Sequence, residues 1–143
     1  MLYQASRDGF GASVFHAKCD GVLGTLVVVK DTNSSIFGGF TKVDWSNSGS
    51  QFDSAAFLFS LVNSLNISFK FNLIRPENAV YSYSFYGPSF GDMYIVDQSN
   101  QSSSNSFYVG YNYAFPNFTN LTSFSANFQT LEIEVYSLNR KYI

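Results

Sequence analysis

Gly24-Thr25-Leu26-Val27-Val28-Val29-Lys30 is the stretch on which the fold turns. Three consecutive valines are poor helix formers and good occupants of a pleated, buried surface, so the segment reads as a buried strand. Just upstream, Gly11 to Gly21 follows a different period: Val14, Phe15, Lys18 and Cys19 stand at the i, i+4 spacing of helical neighbours, and Gly21 is placed to end the helix in a left-handed cap. Downstream, Asp31-Thr32-Asn33-Ser34-Ser35 reads as a turn. The period changes from helix to strand between Gly21 and Gly24.

From there to the C-terminus alternation dominates. Thr41, Val43 and Trp45 alternate with Lys42 and Asp44, and Gly38-Gly39 before them allows a bulge or the close approach of another backbone. Ala55 to Val62 is apolar on both faces, as a central strand would be. Ile67, Phe69, Phe71 and Leu73 alternate with Ser68, Lys70 and Asn72, the pattern of a half-exposed strand. Ala79 to Tyr86 alternates aromatics with Ser82 and Ser84, Tyr86 to Gly91 is a structured loop, and Asp92 to Val96 is a short strand. Asp97 to Ser106 is polar and reads as a surface loop. Phe107, Val109, Tyr111 and Tyr113 form the next alternating set, and Leu131, Ile133 and Val135 alternate with Glu132 and Glu134 in the last. Many short strands and one or two helices predict a mostly β (α+β) fold: an antiparallel β-sandwich of two sheets with one or two flanking helices, in one domain over residues 1–143.

Composition narrows the function. The chain is 45% hydrophobic and 19% aromatic but only 13% charged, so it folds rather than serving as a disordered linker. Its 8 basic and 10 acidic residues are scattered, which leaves no basic stripe to track a nucleic-acid backbone. A weakly charged, aromatic-rich chain suits a molecule that docks on others. One cysteine, Cys19, excludes an internal disulfide, and the N-terminal residues lack the basic and apolar regions of a signal peptide. No apolar run approaches the length of a membrane span. The expected location is intracellular, cytoplasmic or cytoskeleton-associated. Five Asn-x-Ser/Thr triplets, at Asn33, Asn66, Asn100, Asn117 and Asn120, fit the chance yield of an Asn- and Ser-rich chain.

Constellations for chemistry are sparse. His16 and Cys19 lie three residues apart on the expected helix, too few ligands for a zinc site. As a nucleophile and base they lack the wide sequence separation of cysteine hydrolases. Gly38-Gly39 lacks the Lys and Ser/Thr of a phosphate loop, and Gly9-Phe10-Gly11 lacks the glycines of a dinucleotide fingerprint. Glu132 and Glu134 share one strand face about 7 Å apart, as the rise per residue dictates. They suit an acidic interaction face better than an acid-catalysis pair, which needs a cleft and a neighbour to raise one pKa. The expectation is no catalytic residue, no metal and no cofactor.

The order of short motifs carries a resemblance. Leu2-Tyr3-Gln4-Ala5-Ser6-Arg7-Asp8-Gly9-Phe10 and Phe15-His16-Ala17-Lys18-Cys19-Asp20-Gly21 are followed by Phe37-Gly38-Gly39-Phe40, Trp45, Phe57-Leu58-Phe59-Ser60-Leu61, Tyr86-Gly87-Pro88, Phe90-Gly91 and Glu132-Ile133-Glu134-Val135-Tyr136. This series resembles the TLDc domain over nearly the whole chain. The resemblance implies a β-sandwich flanked by helices. It also implies a structural role for Gly9, Phe10, Gly38, Gly39, Trp45, Phe57, Phe59, Tyr86, Gly87, Pro88 and Gly91. Some members of that family are oxidation resistance proteins and several bind the vacuolar proton ATPase; no accepted catalytic residues come with the fold. Here Phe90-Gly91 runs directly into Asp92-Met93-Tyr94-Ile95, without the longer Gly-rich stretch common in the family. Leu121-Thr122-Ser123-Phe124 replaces the usual Phe-Leu-Ala-Gly.

The expected function is therefore a non-catalytic protein-protein interaction domain, with the vacuolar proton ATPase or oxidative-stress resistance as its context. The alternatives are a constitutive structural subunit of a ciliary or cytoskeletal assembly, and a redox or hydrolytic enzyme working through Cys19 and His16 or through Glu132 and Glu134.

Overall fold

The run of valines forms the second strand of a large sheet. A computed structural model describes residues 1–116 and 124–138; Asn117, Asn120 and the 121–123 part of the replaced family motif lie outside the described residues. Seven strands pair antiparallel in the order β1 (Tyr3–Gln4), β12 (Thr130–Ser137), β2 (Thr25–Asp31), β3 (Ile36–Thr41), β5 (Phe57–Val62), β6 (Phe69–Leu73) and β10 (Tyr113–Ala114). A second layer is built from β11 (Phe124–Phe128), β9 (Asn105–Val109) and β8 (Met93–Tyr94), and from the pair β4 (Gly49–Gln51) and β7 (Val80–Ser82). Bridges from Phe90 to Val80 and to Met93 join these two small sheets.

Alternation decides which side chains lie between the layers. Thr25, Val27, Val29 and Asp31 of β2 are buried, whereas Leu26, Val28 and Lys30 point to the outer face. From the large sheet, Phe37 stacks on Phe107 of β9 at 5.1 Å and meets Phe128 of β11 edge-on at 4.8 Å; Phe71 of β6 meets Phe107 at 5.7 Å. Each fully buried Phe contributes roughly 1.5–3 kcal/mol of hydrophobic free energy, so these contacts fasten sheet to sheet without a disulfide.

Two helices close one side: α1 (Ala5–Asp8) and α2 (Ala12–Cys19). The first backbone N–H of α2 donates to the Asp97 carboxylate at 2.7 Å, which satisfies an orphan helix donor from 85 residues away. Phe15 on the buried side of α2 packs on Tyr3 and on Trp45, whose indole N–H donates to Thr25 Oγ1. Gly21 follows with φ +82, the left-handed turn its position predicts.

Several strands end earlier than their alternation suggests. The set Phe107 to Tyr113 is cut at Gly110, whose φ of +126 carries the chain out of β9 and across to β10 at the edge of the large sheet. Thr41 closes β3 because Asp53 accepts its hydroxyl and the Lys42 N–H, bending the chain, so Trp45 reaches the core from a turn. Of the 79–86 segment Val80–Ser82 forms a strand and Tyr86 makes a lone bridge to Val96, and the 67–73 strand begins at Phe69, after Asn63 ties down the Ile67 carbonyl. The polar 97–106 stretch is folded inward at both ends. Asn105 donates to the carbonyls of Ser99, Ser102 and Phe128, and Ser99 bonds Thr130. On β12 a register shift between Thr130 and Glu132 turns Leu131 outward, 54% exposed, and breaks the alternation expected there.

Candidate binding surfaces

Glu132 and Glu134 do share the outer face of β12, but their carboxylates are used differently. Glu132 accepts from the Ser6 N–H at 3.0 Å, from the Ser6 hydroxyl and from Gln4, so it anchors the N-terminal segment to the sheet. Burial raises its pKa, and the hydrogen bonds from Ser6, from the Ile133 N–H and from Gln4 more than offset that, leaving it below the usual Glu range. Glu134 accepts from the Tyr136 hydroxyl. The two carboxylates are thus separately partnered. With Val28, Lys30 and Ile36 they line a shallow recess of about 170 Å³.

Beside this recess the outer face becomes aromatic. Phe40 of β3 and Phe57 of β5 are register partners and stack at 5.5 Å; Phe59 follows two residues on, and the Lys70 ammonium lies 4.6 Å from the centre of the Phe57 ring. All three rings are half-exposed. Gly38 explains their setting: a Cβ there would come within 2.8 Å of the Phe59 ring, so the absent side chain lets Phe59 lie close to the sheet. Leu23, Gly24, Phe40, Lys42 and Leu138 shape a further recess of about 480 Å³ on the far side of Phe40.

The Cys19 and His16 pairing does not assemble. Cys19 is fully buried, and burial pushes its thiol up to about 12. His16 turns the other way, its Nδ1 2.7 Å from Asp20 and its Nε2 within 3.0 Å of the Tyr83 and Tyr86 carbonyls. Among the described residues no group of three or more His, Cys, Asp or Glu side chains is placed to hold a metal.

The family-motif residues divide between core and surface. Gly9 accepts the Tyr3 hydroxyl through its carbonyl, Phe10 packs on the core margin, and Trp45 and Phe90 meet edge-on inside it at 5.6 Å. Gly39 leaves room for Leu58 and Phe90. Gly87 donates to the Ile95 carbonyl, and Pro88 and Gly91 are buried in the same loop, with Tyr86 half-buried beside them. Phe57 and Phe59 are the exceptions, since they face outward.

A second surface escapes sequence reading altogether. Ser50 and Tyr81 are partners in the β4–β7 pair, Tyr94 follows on β8 and Tyr108 on β9. With Tyr111, Asn78, Gly91, Asp92 and Asn112 they line a cleft of about 390 Å³. Period two set Tyr108 opposite Phe107 and Val109, but in the 79–86 segment it is Ser82 that is buried, its hydroxyl on the Trp45 carbonyl, and Tyr81 that faces outward. The convergence of the tyrosines was not legible, because it depends on the bridges through Phe90.

The described residues thus form a two-layered, mostly β fold flanked by helices, with an aromatic outer face on its large sheet. The TLDc domain model matches residues 1–139, and the chain belongs to the TLDc domain family. No curated protein matches it. Among the described residues no helix is long and apolar enough to cross a membrane.

Proposed function

We propose that this TLDc domain is a non-catalytic protein-protein interaction module that docks on a large intracellular assembly through the outer face of its seven-stranded sheet. The row Phe40, Phe57 and Phe59 carries the reading. Aromatic residues are enriched and charges depleted at interface cores, and a row fixed by strand register loses little conformational freedom on binding. Lys70 and Glu134 supply polar groups beside that row. The partner favoured by the family resemblance is the vacuolar proton ATPase, with oxidative-stress resistance as the outcome in the cell. The buried, high-pKa Cys19 thiol argues against a redox nucleophile, and the separate partners of Glu132 and Glu134 argue against a shared-proton carboxylate pair.

Affinity purification of the tagged chain, followed by mass spectrometry, tests the partner. Recovery of ATPase subunits with the parent and their loss with Phe57→Ser/Phe59→Ser supports the reading; recovery of none removes the ATPase from it.

One observation favours a constitutive structural subunit instead. Leu61, Val62, Leu65 and Ile67 are all exposed along the connection from β5 to β6, an apolar tip suited to permanent burial. Size-exclusion of native extracts separates the two: a pool of free monomer fits docking, whereas a chain found only in a large complex fits the structural subunit.

A further inference from the structure

The geometry points to a second binding site, the tyrosine cleft on the outer side of the small sheets, and to a proline-rich segment of a partner protein as its ligand. The inference rests on the reading of the domain as an interaction module, and it adds a partner chemistry and a surface on the opposite layer from Phe57 and Phe59.

The lining decides the ligand by what it has left to offer. Asp92, the acidic group of the cleft, is buried and already saturated. It accepts from the backbone N–H groups of Tyr111, Asn112 and Tyr113 at 2.8–3.3 Å and from the Asn112 side chain. The Asn112 amide also donates to the Gly91 carbonyl, while its Oδ1 is buried away from solvent and takes no donor among the described residues. Tyr94 donates to the Gly91 carbonyl at 2.9 Å. The Gly91 carbonyl and the Asp92 carboxylate are thus occupied from within, and among the described residues no basic side chain lines the cleft, Arg75 at its margin being stacked on the Tyr111 ring.

What faces outward is the aromatic wall: the Tyr94 and Tyr108 hydroxyls are engaged, on the Gly91 carbonyl and on Asn127, and the Tyr111 hydroxyl stands at the edge without a partner among the described residues. Tyr81 sits against Tyr83, Tyr86 and Tyr94 with ring centres 4.6–5.5 Å apart, which fixes its plane. Tyr111, 66% exposed, is held by the Arg75 guanidinium 4.2 Å over its ring. Ser50 on the neighbouring strand adds a hydroxyl at the cleft margin.

A ligand for such a cleft should bring flat apolar faces and acceptors, carry no charge and need few acceptors in return. Polyproline II chain meets each requirement: its prolines have no N–H, its carbonyls have no internal partner, and its rings lie flat on aromatic walls. Its backbone is already extended, so little freedom is lost on binding. One turn of it, three residues and roughly 9 Å, suits a cleft of this size. An oligosaccharide donates as often as it accepts, and the Gly91 carbonyl and Asp92 carboxylate that would receive those donors are in use, which leaves it the single buried Asn112 Oδ1.

The test uses the whole chain labelled with ¹⁵N and a blocked decaproline peptide as probe, with a Gly-Ser decapeptide and chitohexaose as comparisons. Decaproline is expected to shift the amides of Gly91, Tyr94 and Asn112 saturably. Tyr108→Ala and Tyr111→Ala, both at exposed rings, should each weaken binding about tenfold, and Tyr111→Phe, which keeps the ring, by less. Absence of shifts at the cleft, equal binding of the Gly-Ser peptide, or shifts from chitohexaose alone would overturn the proposal. Partner capture that depends on Phe57 and Phe59 is a separate readout, so a failure at the cleft leaves the sheet-face reading standing, and the reverse.

Discussion

A methyl group added at position 38 would stand 1.9 Å from the Val27 carbonyl oxygen, a backbone atom that cannot rotate away. Gly38→Ala should therefore separate β3 from β2 and cost roughly 2 kcal/mol or more, read as a lower urea midpoint. An unchanged midpoint would mean that the two strands do not approach as described. Cys19 gives a pH prediction. Its thiol is raised by burial, to about 12, against an ordinary value of about 8.5 in the unfolded chain. The unfolded chain thus loses its proton first as pH rises. The stability due to the neutral thiol is complete below about pH 8.5 and declines from there toward pH 12. Urea midpoints measured from pH 7.5 to 10.5 should fall in the parent and fall less in Cys19→Ala, and a thiol reagent should label the native protein only as fast as it opens. Of these features, Gly38-Gly39 was partly legible: the sequence left a bulge and a close approach both open and set the glycines ahead of a strand, whereas they lie inside β3 and permit the close approach. The burial of Cys19 was half legible, since helical spacing put it beside Phe15 but said nothing of Tyr3 and Trp45.

At the scale of elements, the N-terminal strand and α1 are tied to β12 by the carboxylate of Glu132. Replacing it by Gln removes a charge-assisted pair of hydrogen bonds, and amide exchange over Leu2 to Asp8 should quicken about tenfold, equivalent to about 1.4 kcal/mol. Exchange that stays at the parent rate would return Glu132 to the role of a free surface carboxylate. Acid should act in the same place. Asp8 is held well below the usual carboxylate range by hydrogen bonds from Arg7 and from the Gln4 N–H, and Glu132 is also lowered. Both therefore favour the folded segment above about pH 4–5, and that contribution is lost as pH falls below the unfolded values. This tie was hidden in the sequence because it joins residues 126 apart. Strands with a strong signal could be read directly, β2 from its run of valines and β6 from the alternation of Phe69, Phe71 and Leu73 with Lys70 and Asn72. Short ones such as β4 and β10 could not, since two or three residues carry no period, and the bulge at Leu131 broke the only pattern that marked its position.

For the molecule as a whole, the two layers present two unlike outer faces. The large sheet shows phenylalanines with Lys70 and Glu134 nearby; the small sheets show tyrosines around a saturated carboxylate. Motif order revealed the family and the fold, and period two revealed which residues leave the core. Neither could show that Phe57 and Phe59, read as structural, face outward, because Ala55 to Val62 is apolar on both faces and its side choice is made by Leu58 meeting the core. A photo-crosslinker placed at that face gives the most direct test. With Phe57→p-benzoylphenylalanine expressed in cells, irradiation should yield one discrete protein adduct, an ATPase subunit, absent when the crosslinker replaces exposed Phe52 beside β4 instead. A diffuse smear, or the same adducts from both positions, would contradict docking through the seven-stranded sheet.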